Sequence, residues 1–301
     1  MIKTILLIIA VLSVVSLLIY LITKKYPHKD FSELLVRVKL WWGMVFVFIL
    51  STFINPDISI ISLAVLSFFA LKEFFSMRKT RKNDRRLFIW AYLAIPVQFY
   101  WIFTNWYGMF IVFIPIYIFL FLPIVRITAG GTKGFVKSVS TTHWGIMLMV
   151  FGLSHLAYYG KMSPEYGPNL LLYLVLLTQL ADVVQYMVSK TFGKKKIIPT
   201  ANPNITTEGL ITATILTVLV ATLLAPHLTP LPLYFGALSG LLIAVTSFIG
   251  TMNISFVKRD LKVEDSGVSI SHKESFLSRI DSLSYTAPLF LHFLRYFFDW
   301  I

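Results

Sequence analysis

The sequence predicts an all-helical integral membrane protein with about ten transmembrane helices. Of its 301 residues, 57% are hydrophobic and only 14% are charged, and the mean hydropathy is +0.76. Soluble domains contain about 45–50% apolar and about 25% charged residues, so a water-soluble fold could not bury this much apolar surface. The apolar residues also form long runs that are separated by short basic segments.

Ten apolar runs are candidates for transmembrane helices. A bilayer core about 30 Å thick requires roughly 20 apolar residues per helix, because every backbone polar group must be satisfied inside the segment. The second run is short and is expected to extend into its flanks. A signal peptide is the alternative for the first run, but its length and Lys24-Lys25 at its far end favour a retained span. The runs lie near residues 2–23, 40–54, 58–75, 87–104, 106–125, 138–159, 169–188, 207–225, 231–251 and 283–300.

Positive charge alternates along the chain. Alternate loops hold 23 of the 27 Lys and Arg residues, and the intervening loops hold only Lys161. Because Lys and Arg accumulate in cytoplasmic loops, both termini are predicted outside the cytoplasm of a bacterial inner membrane. Without an internal repeat, residues 1–301 are expected to form one membrane domain, with N-terminal spans in 1–168 and the polar motifs in 169–301. The basic loops are 24–39, 76–86, 126–137, 189–206 and 252–282.

The net charge of +13 and the absence of cysteine exclude several functions. Basic residues between apolar spans are typical of loops that face anionic lipid headgroups. No basic stripe lies on a helix that could enter a groove of nucleic acid, so nucleic-acid binding is not expected. The lack of cysteine excludes disulfides, thiolate metal sites and cysteine nucleophiles.

The first polar stretch begins inside the seventh apolar run. Asp182 is costly within an apolar helix unless it faces a polar cavity or a partner, which makes it a candidate functional residue. A packing carboxylate paired with a Lys or a Tyr is the alternative. The triplet Lys194-Lys195-Lys196 is either a membrane anchor or a phosphate clamp. The stretch also contains Tyr186, Phe192-Gly193, Pro199, Asn202-Pro203, Thr206 and Glu208-Gly209.

The second polar stretch covers residues 255–282 and is rich in Lys, Arg, Asp, Ser and Gly. Lys and Arg neutralise phosphoryl oxygens, Asp carboxylates hold hard divalent cations, and Gly lets backbone amides approach a ligand. A phosphate-binding and cation-binding loop is therefore one interpretation. A solvated loop that only connects two spans is the other, and the isolated His272 fits a solvated position.

At these two stretches the sequence resembles the phosphatidate cytidylyltransferases, the CDP-diacylglycerol synthases. The family pattern is Ser-x-x-Lys-Arg, an Asp-Ser-Gly region, Gly-His-Gly-Gly and Asp-Arg-x-Asp-Ser before a last span. Ungapped matches are Ser255, Lys258, Arg259, Asp265, Ser266, Gly267, Arg279, Asp281 and Ser282. Further upstream matches are Ala181, Asp182, Tyr186, Phe192-Gly193-Lys194, Pro203, Thr206 and Glu208-Gly209. The earlier spans resemble a longer bacterial branch of that family, through Arg37, Trp41-Trp42-Gly43 and Lys72-Glu73.

The resemblance implies a helical bundle with a pocket open to the cytoplasm and to the lipid, in which phosphatidate reacts with CTP to give CDP-diacylglycerol and diphosphate. It implies Mg²⁺ as the cofactor and phosphatidate or a related anionic lipid as a partner, and homodimers are common in the family. The implied catalytic residues are Asp281, Asp265 and Lys258, and the implied metal ligands are Asp281 and Asp182. The implied substrate-binding residues are Arg259, Arg279, Ser255, Asp182, Tyr186, Lys194, Thr206 and Glu208.

The sequence departs from the family pattern at residues that carry charge. Thr251 and Ser278 stand where the family has aspartates, Ile254 stands for a glutamate and Ile205 for a lysine. The glycine-rich element reads His272-Lys273-Glu274-Ser275. A hydroxyl or alkyl group cannot replace a carboxylate at a hard cation, so the usual metal site is expected to be impaired.

Two functions therefore compete. The first is a working cytidylyltransferase with an altered metal site, in which Asp260, Glu264 or Glu274 supplies replacement carboxylates. The second is a catalytically deficient relative that binds lipid or forms a complex. A transporter is a weaker third alternative, because Asp182 is nearly the only acidic residue deep in a span and matched broken helices are not evident.

Overall fold

The computed structural model describes residues 56–77, 84–163, 165–261 and 277–298, with isolated positions before residue 43. The predicted run at 40–54 and most of the run at 2–23 lie outside the described residues, as does the loop at 24–39 apart from Lys24. The described backbone is helical apart from short connections and one isolated antiparallel bridge between Lys196 and Thr206. The predicted all-helical fold is confirmed.

Nine helices are present in the described part of the chain, and we number them α1 to α9. They are α1 Pro56–Ser76, α2 Arg85–Phe103, α3 Tyr107–Thr128, α4 135–162, α5 Gly167–Phe192, α6 Thr207–Leu228, α7 Leu233–Asp260, α8 Leu277–Ile280 and α9 Leu283–Phe297. Helices α3 and α4 contain π-helical segments at Phe113–Ile118 and Met147–Gly152. Pro115 lies in the first segment and lacks the N–H that a regular α-helical turn requires.

Six of these helices are long and apolar enough to cross a membrane, namely α1, α2, α3, α5, α6 and α7. The predicted count of about ten is therefore not confirmed. Helix α4 coincides with the predicted run at 138–159, and α9 is only 15 residues long. A turn joins α2 and α3, and Asn105 adopts the left-handed conformation there, with φ of 55°.

Contacts at the helix ends show that successive long helices run in opposite directions. Lys161 at the end of α4 donates to Asp57 at the start of α1, at 3.0 Å. At the other end of the bundle, Ser138 at the start of α4 donates to Asp84 just before α2. The described flanks of the loops 76–86, 126–137, 189–206 and 252–282 all lie at this second end, which we call the basic end. The basic loops alternate with the other loops in the sequence because the helices alternate in direction, so every second loop lies at the basic end.

Helix α5 is the centre of the bundle. In its most apolar window 83% of the residues are buried, compared with 22–44% in the other five candidate spans. Helix α6 packs closely on α7 through small side chains, because a Cβ atom at Gly240 would stand 2.6 Å from the Cβ of Ala221. Large apolar side chains such as Leu120 and Leu223 are more than half exposed, as expected for surfaces that face lipid. The chain is an integral membrane protein.

Candidate functional site

Asp182 joins three helices near the basic end of the bundle. Its side chain is buried in α5, with 8% of the residue exposed. Ser247 of α7 donates to one carboxylate oxygen at 2.5 Å, and Ser282 at the start of α9 donates to the other at 2.6 Å. Hydrogen bonds to a carboxylate are stronger than those between neutral groups, so this cluster fixes the relative positions of α5, α7 and α9.

The loop between α5 and α6 is held to the start of α6 and to the end of α5 by hydrogen bonds of two side chains, Glu208 and Thr206. The carboxylate of Glu208 accepts hydrogen bonds from the backbone N–H groups of Lys194 and Lys195, at 3.1 to 3.3 Å. The hydroxyl of Thr206 caps α6 by accepting from the N–H of Gly209, at 3.2 Å. That hydroxyl also donates to Ser189 of α5, at 3.0 Å. The two predicted substrate-binding residues Thr206 and Glu208 therefore order the loop, and the side chain of Lys194 is exposed.

A hydrogen bond connects the two polar stretches directly. Asn202 of the first stretch donates its side-chain N–H to the hydroxyl of Ser255 on α7, at 3.1 Å. Arg259, one turn further along α7, has its Nε 3.5 Å from the carbonyl oxygen of Ala201. The two motif stretches, which are far apart in sequence, therefore lie side by side at the basic end.

Thr251, Ser255 and Arg259 follow one another at intervals of four residues and form one stripe on α7, beside Lys258. At 1.5 Å per residue, the basic pair Lys258-Arg259 lies about 10–12 Å from Thr251 along the helix. Lys258 is half-buried and Arg259 is exposed. This stripe leads from the interior of the bundle to a pair of cations at its surface.

The start of α9 packs against α7 without a gap. A Cβ atom at Gly250 would stand 2.8 Å from the carbonyl oxygen of Asp281 and 2.9 Å from the Cα of Ser282, so only glycine allows this approach. The side chain of Asp281 is buried, and one of its oxygens accepts from the N–H of Ser282 at 2.8 Å. Glu73 of α1 accepts from the N–H of Leu277, at 3.0 Å, and ties the first described helix to the motif.

A polar pocket of about 60 Å³ opens beside Asp182. Six of its described lining residues belong to the first polar stretch, and the seventh is Thr251 of α7, four residues before the second stretch. Gln185 lines it one turn after Asp182, and only 6% of this residue is exposed. Its side-chain Nε2 is buried and has no hydrogen-bond partner among the described residues. The lining consists of Asp182, Gln185, Tyr186, Asn202, Asn204, Ile205 and Thr251. Among these described lining residues, the one charged group is the carboxylate of Asp182.

The structure thus brings together some of the residues predicted from sequence. Asp182 and Tyr186 line the pocket, and Ser255, Lys258 and Arg259 lie on the stripe that leads to it. Asp265 and His272 lie outside the described residues, as do the side chains of Ser278 and Arg279. Sequence reasoning missed Gln185 and Ser247. Gln185 could have been found, because a polar residue three positions after Asp182 shares its helical face.

The oxygen donors that the described residues bring to the pocket do not form a full set of ligands for a divalent metal. Among the described residues, no three His, Asp or Glu side chains converge. Both carboxylate oxygens of Asp182 accept hydrogen bonds from serine hydroxyls. Thr251 brings a neutral hydroxyl to the lining, where the family pattern has a carboxylate. Hard divalent cations require anionic oxygen ligands, so the described residues do not supply the set that the resemblance implies.

Comparison with known proteins agrees with this arrangement. The model of the cytidylyltransferase family matches residues 35–297. The uncharacterized protein YnbB of Escherichia coli (strain K12) is 34% identical over 275 residues, which cover 90% of this chain and 91% of YnbB.

Two phosphatidate cytidylyltransferases match a shorter region. The protein of Bacillus subtilis (strain 168) is 32% identical over 137 residues, which cover 45% of this chain and 50% of that protein. The protein of Haemophilus influenzae is 34% identical over 143 residues, which cover 45% of this chain and 48% of that protein. These matches span about half of each named enzyme. Since the family model covers most of the chain and hydrogen bonds join the two motif stretches, this chain belongs to the cytidylyltransferase family.

Proposed function

We propose that this chain works in phospholipid metabolism and carries out the family reaction, in which CTP and phosphatidate give CDP-diacylglycerol and diphosphate. The observation that supports this most is that the second motif stretch is hydrogen-bonded to two residues that line the pocket, through Asp182–Ser282 and Asn202–Ser255. Matches to two named phosphatidate cytidylyltransferases support the choice of substrates.

In this reaction a phosphate oxygen of phosphatidate attacks the α-phosphorus of CTP. A new P–O bond forms, the bond from the α-phosphorus to the bridging oxygen breaks, and diphosphate leaves with the electron pair. Such transfers depend on positioning and on charge neutralisation. Lys258 and Arg259, at the outer end of the α7 stripe, are placed to neutralise phosphate oxygens, and the Asp182 cluster holds α5, α7 and α9 in position around them.

We infer that the basic end faces the cytoplasm of a bacterial inner membrane, with both termini on the other side. The supporting observation is that the described flanks of four basic loops share one end of the bundle, because Lys and Arg are retained on the cytoplasmic side. CTP is cytoplasmic, so this orientation gives the site access to it. We also propose a homodimer, and the support for it is the resemblance to the family, in which homodimers are common.

The test is CTP-dependent conversion of phosphatidate by the purified chain in lipid nanodiscs with Mg²⁺. The proposal expects CDP-diacylglycerol from the natural chain and its loss in Asp281→Ala. The matched control is Asp57→Ala, which removes a carboxylate at the opposite end of the bundle and should leave turnover unchanged. A natural chain with no turnover would contradict the proposal.

A second candidate is a catalytically deficient relative that binds lipid or a partner protein. It is favoured by Thr251, which puts a hydroxyl in the pocket lining where the family pattern has an aspartate. The double variant Thr251→Asp, Ser278→Asp separates the two candidates. Turnover in the double variant but not in the natural chain would support deficiency, whereas turnover in the natural chain that disappears with Asp281→Ala would exclude it.

A further inference from the structure

The amide of Gln185 is the feature of the pocket that the family reaction leaves unexplained. Its Nε2 is buried and makes no hydrogen bond with any residue that the structure describes. A buried donor without an acceptor loses its bonds to water and gains nothing in return, so such groups are rare in folded proteins. The side chain lines a pocket large enough to admit a small chemical group. An acceptor atom supplied by a ligand would satisfy it.

The charge of the lining indicates which kind of group fits. Among the described residues that line the pocket, Asp182 supplies a carboxylate and none is Lys or Arg. A phosphate placed there would stand beside a like charge, and the ammonium of Lys190 is already hydrogen-bonded to the hydroxyl of the lining residue Tyr186, at 3.1 Å. A neutral group that carries an acceptor next to a donor fits both sides, because Gln185 donates and a carboxylate oxygen can accept more than one hydrogen bond.

A pair of cations lies further along α7. Lys258 and Arg259 lie about 10–12 Å along α7 from Thr251, which lines the pocket. A ligand with a neutral hydrogen-bonding group at one end and phosphate at the other would therefore reach from the pocket to this basic pair.

We propose that Gln185 determines specificity by donating from Nε2 to an acceptor of a neutral, hydrogen-bonding part of the substrate, while the phosphates of the same substrate lie at Lys258 and Arg259. This inference rests on the proposed function, because it takes the pocket as the substrate site. Two substrates carry this chemistry, namely the cytidine part of a nucleotide and the polyol headgroup of a lipid.

The experiment measures binding to the purified chain in nanodiscs by equilibrium dialysis, with radiolabelled cytidine as the neutral probe and inorganic triphosphate as the charged probe. A second series uses nanodiscs that contain phosphatidylglycerol or phosphatidylinositol in place of phosphatidate and follows protection from thermal unfolding. Gln185→Met keeps the length of the side chain but removes the amide. Gln179→Met is the matched control, because Gln179 is a buried glutamine of α5 that does not line the pocket.

We expect Gln185→Met to weaken binding of cytidine, or of a polyol lipid, about tenfold, and to leave binding of triphosphate unchanged. Gln179→Met should change neither. Weakened cytidine binding identifies the nucleotide as the source of the neutral group, and weakened protection by polyol lipids identifies the headgroup. The proposal is overturned if neither changes, or if triphosphate binding falls as much as that of the neutral probes. The melting temperature of each variant without ligand shows whether it has folded.

These outcomes are separate from the turnover test. Gln185-dependent binding without turnover would keep this inference and contradict the proposed reaction. Turnover with identical kinetics in Gln185→Met would do the reverse.

Discussion

Ser282 donates a hydrogen bond of 2.6 Å to Asp182, although 100 residues separate them in the sequence. Ser247 donates to the other oxygen of the same carboxylate. One buried side chain thus holds three helices around the pocket. The cost of a carboxylate within an apolar span is offset by these two charge-assisted bonds.

Replacing Asp182 should destabilise the bundle in proportion to the acceptors that are lost. Asp182→Ala leaves the buried hydroxyls of Ser247 and Ser282 without their acceptor, at a cost of about 1–3 kcal/mol for each unsatisfied group. Asp182→Asn keeps one acceptor oxygen and should lose less. Thermal unfolding in detergent, followed by tryptophan fluorescence, should rank the melting temperatures as natural chain, Asp182→Asn and Asp182→Ala. Equal melting temperatures for all three would show that the cluster does not stabilise the fold.

Gly250→Ala should separate α7 from the start of α9. The new methyl group would lie within 3 Å of the backbone of Asp281 and Ser282, and backbone atoms cannot yield as a flexible side chain can. A lower melting temperature and weaker lipid-dependent stabilisation are expected. Gly160→Ala is the control, because nothing lies within 4 Å of its added Cβ, and alanine favours a helix over glycine by about 1 kcal/mol. A tolerated Gly250→Ala would contradict the close approach.

Glu208→Ala should loosen the loop between α5 and α6. The backbone N–H groups of Lys194 and Lys195 lose their acceptor in this variant. Trypsin cleaves the peptide bond after a lysine residue once the backbone around it can unfold locally. Limited proteolysis should therefore cut residues 194–196 several times faster. Glu165→Ala, in the turn before α5, is the control and should leave the cleavage rate at this loop unchanged. Unaltered cleavage in Glu208→Ala would show that other contacts hold the loop.

The sequence predicted the helical class and the alternation of basic loops because both follow from solvation. The bilayer determines where apolar side chains and where Lys and Arg can lie. Both patterns can therefore be recognised from short segments of the sequence. It also singled out Asp182, since an acid within an apolar run is conspicuous.

The partners of these residues could not be predicted in the same way. Ser247 lies in an apolar run with nothing to mark it, and the contact between Glu73 and Leu277 joins residues 204 positions apart. The backbone partners of Glu208, the N–H groups of Lys194 and Lys195, were likewise not predicted, and substrate binding by Glu208 stays a prediction. Such contacts depend on the three-dimensional arrangement of the helices, which composition and periodicity do not contain.

The last prediction compares a buried and an exposed carboxylate. Asp84 and Arg126 are 0% and 2% exposed, with Oδ1 and Nε 3.7 Å apart, and Ser138 donates to the same carboxylate oxygen at 2.5 Å. Asp57 and Lys161 are 3.0 Å apart with side chains 41% and 25% exposed. Removing one partner of a buried pair leaves an uncompensated charge, at a cost of about 3–5 kcal/mol, whereas an exposed pair contributes about 0–1 kcal/mol.

Asp84→Ala should therefore lower the melting temperature far more than Asp57→Ala does. Ser138→Ala removes only one hydrogen bond to Asp84 and should fall between them, which keeps the comparison informative if Asp84→Ala does not fold. Added salt should reduce the difference between Asp57→Ala and the natural chain, because exposed charges are screened, and should leave the effect of Ser138→Ala unchanged. If Asp84→Ala and Asp57→Ala were equally stable, the buried pair would not be holding the start of α2 to α3 and α4.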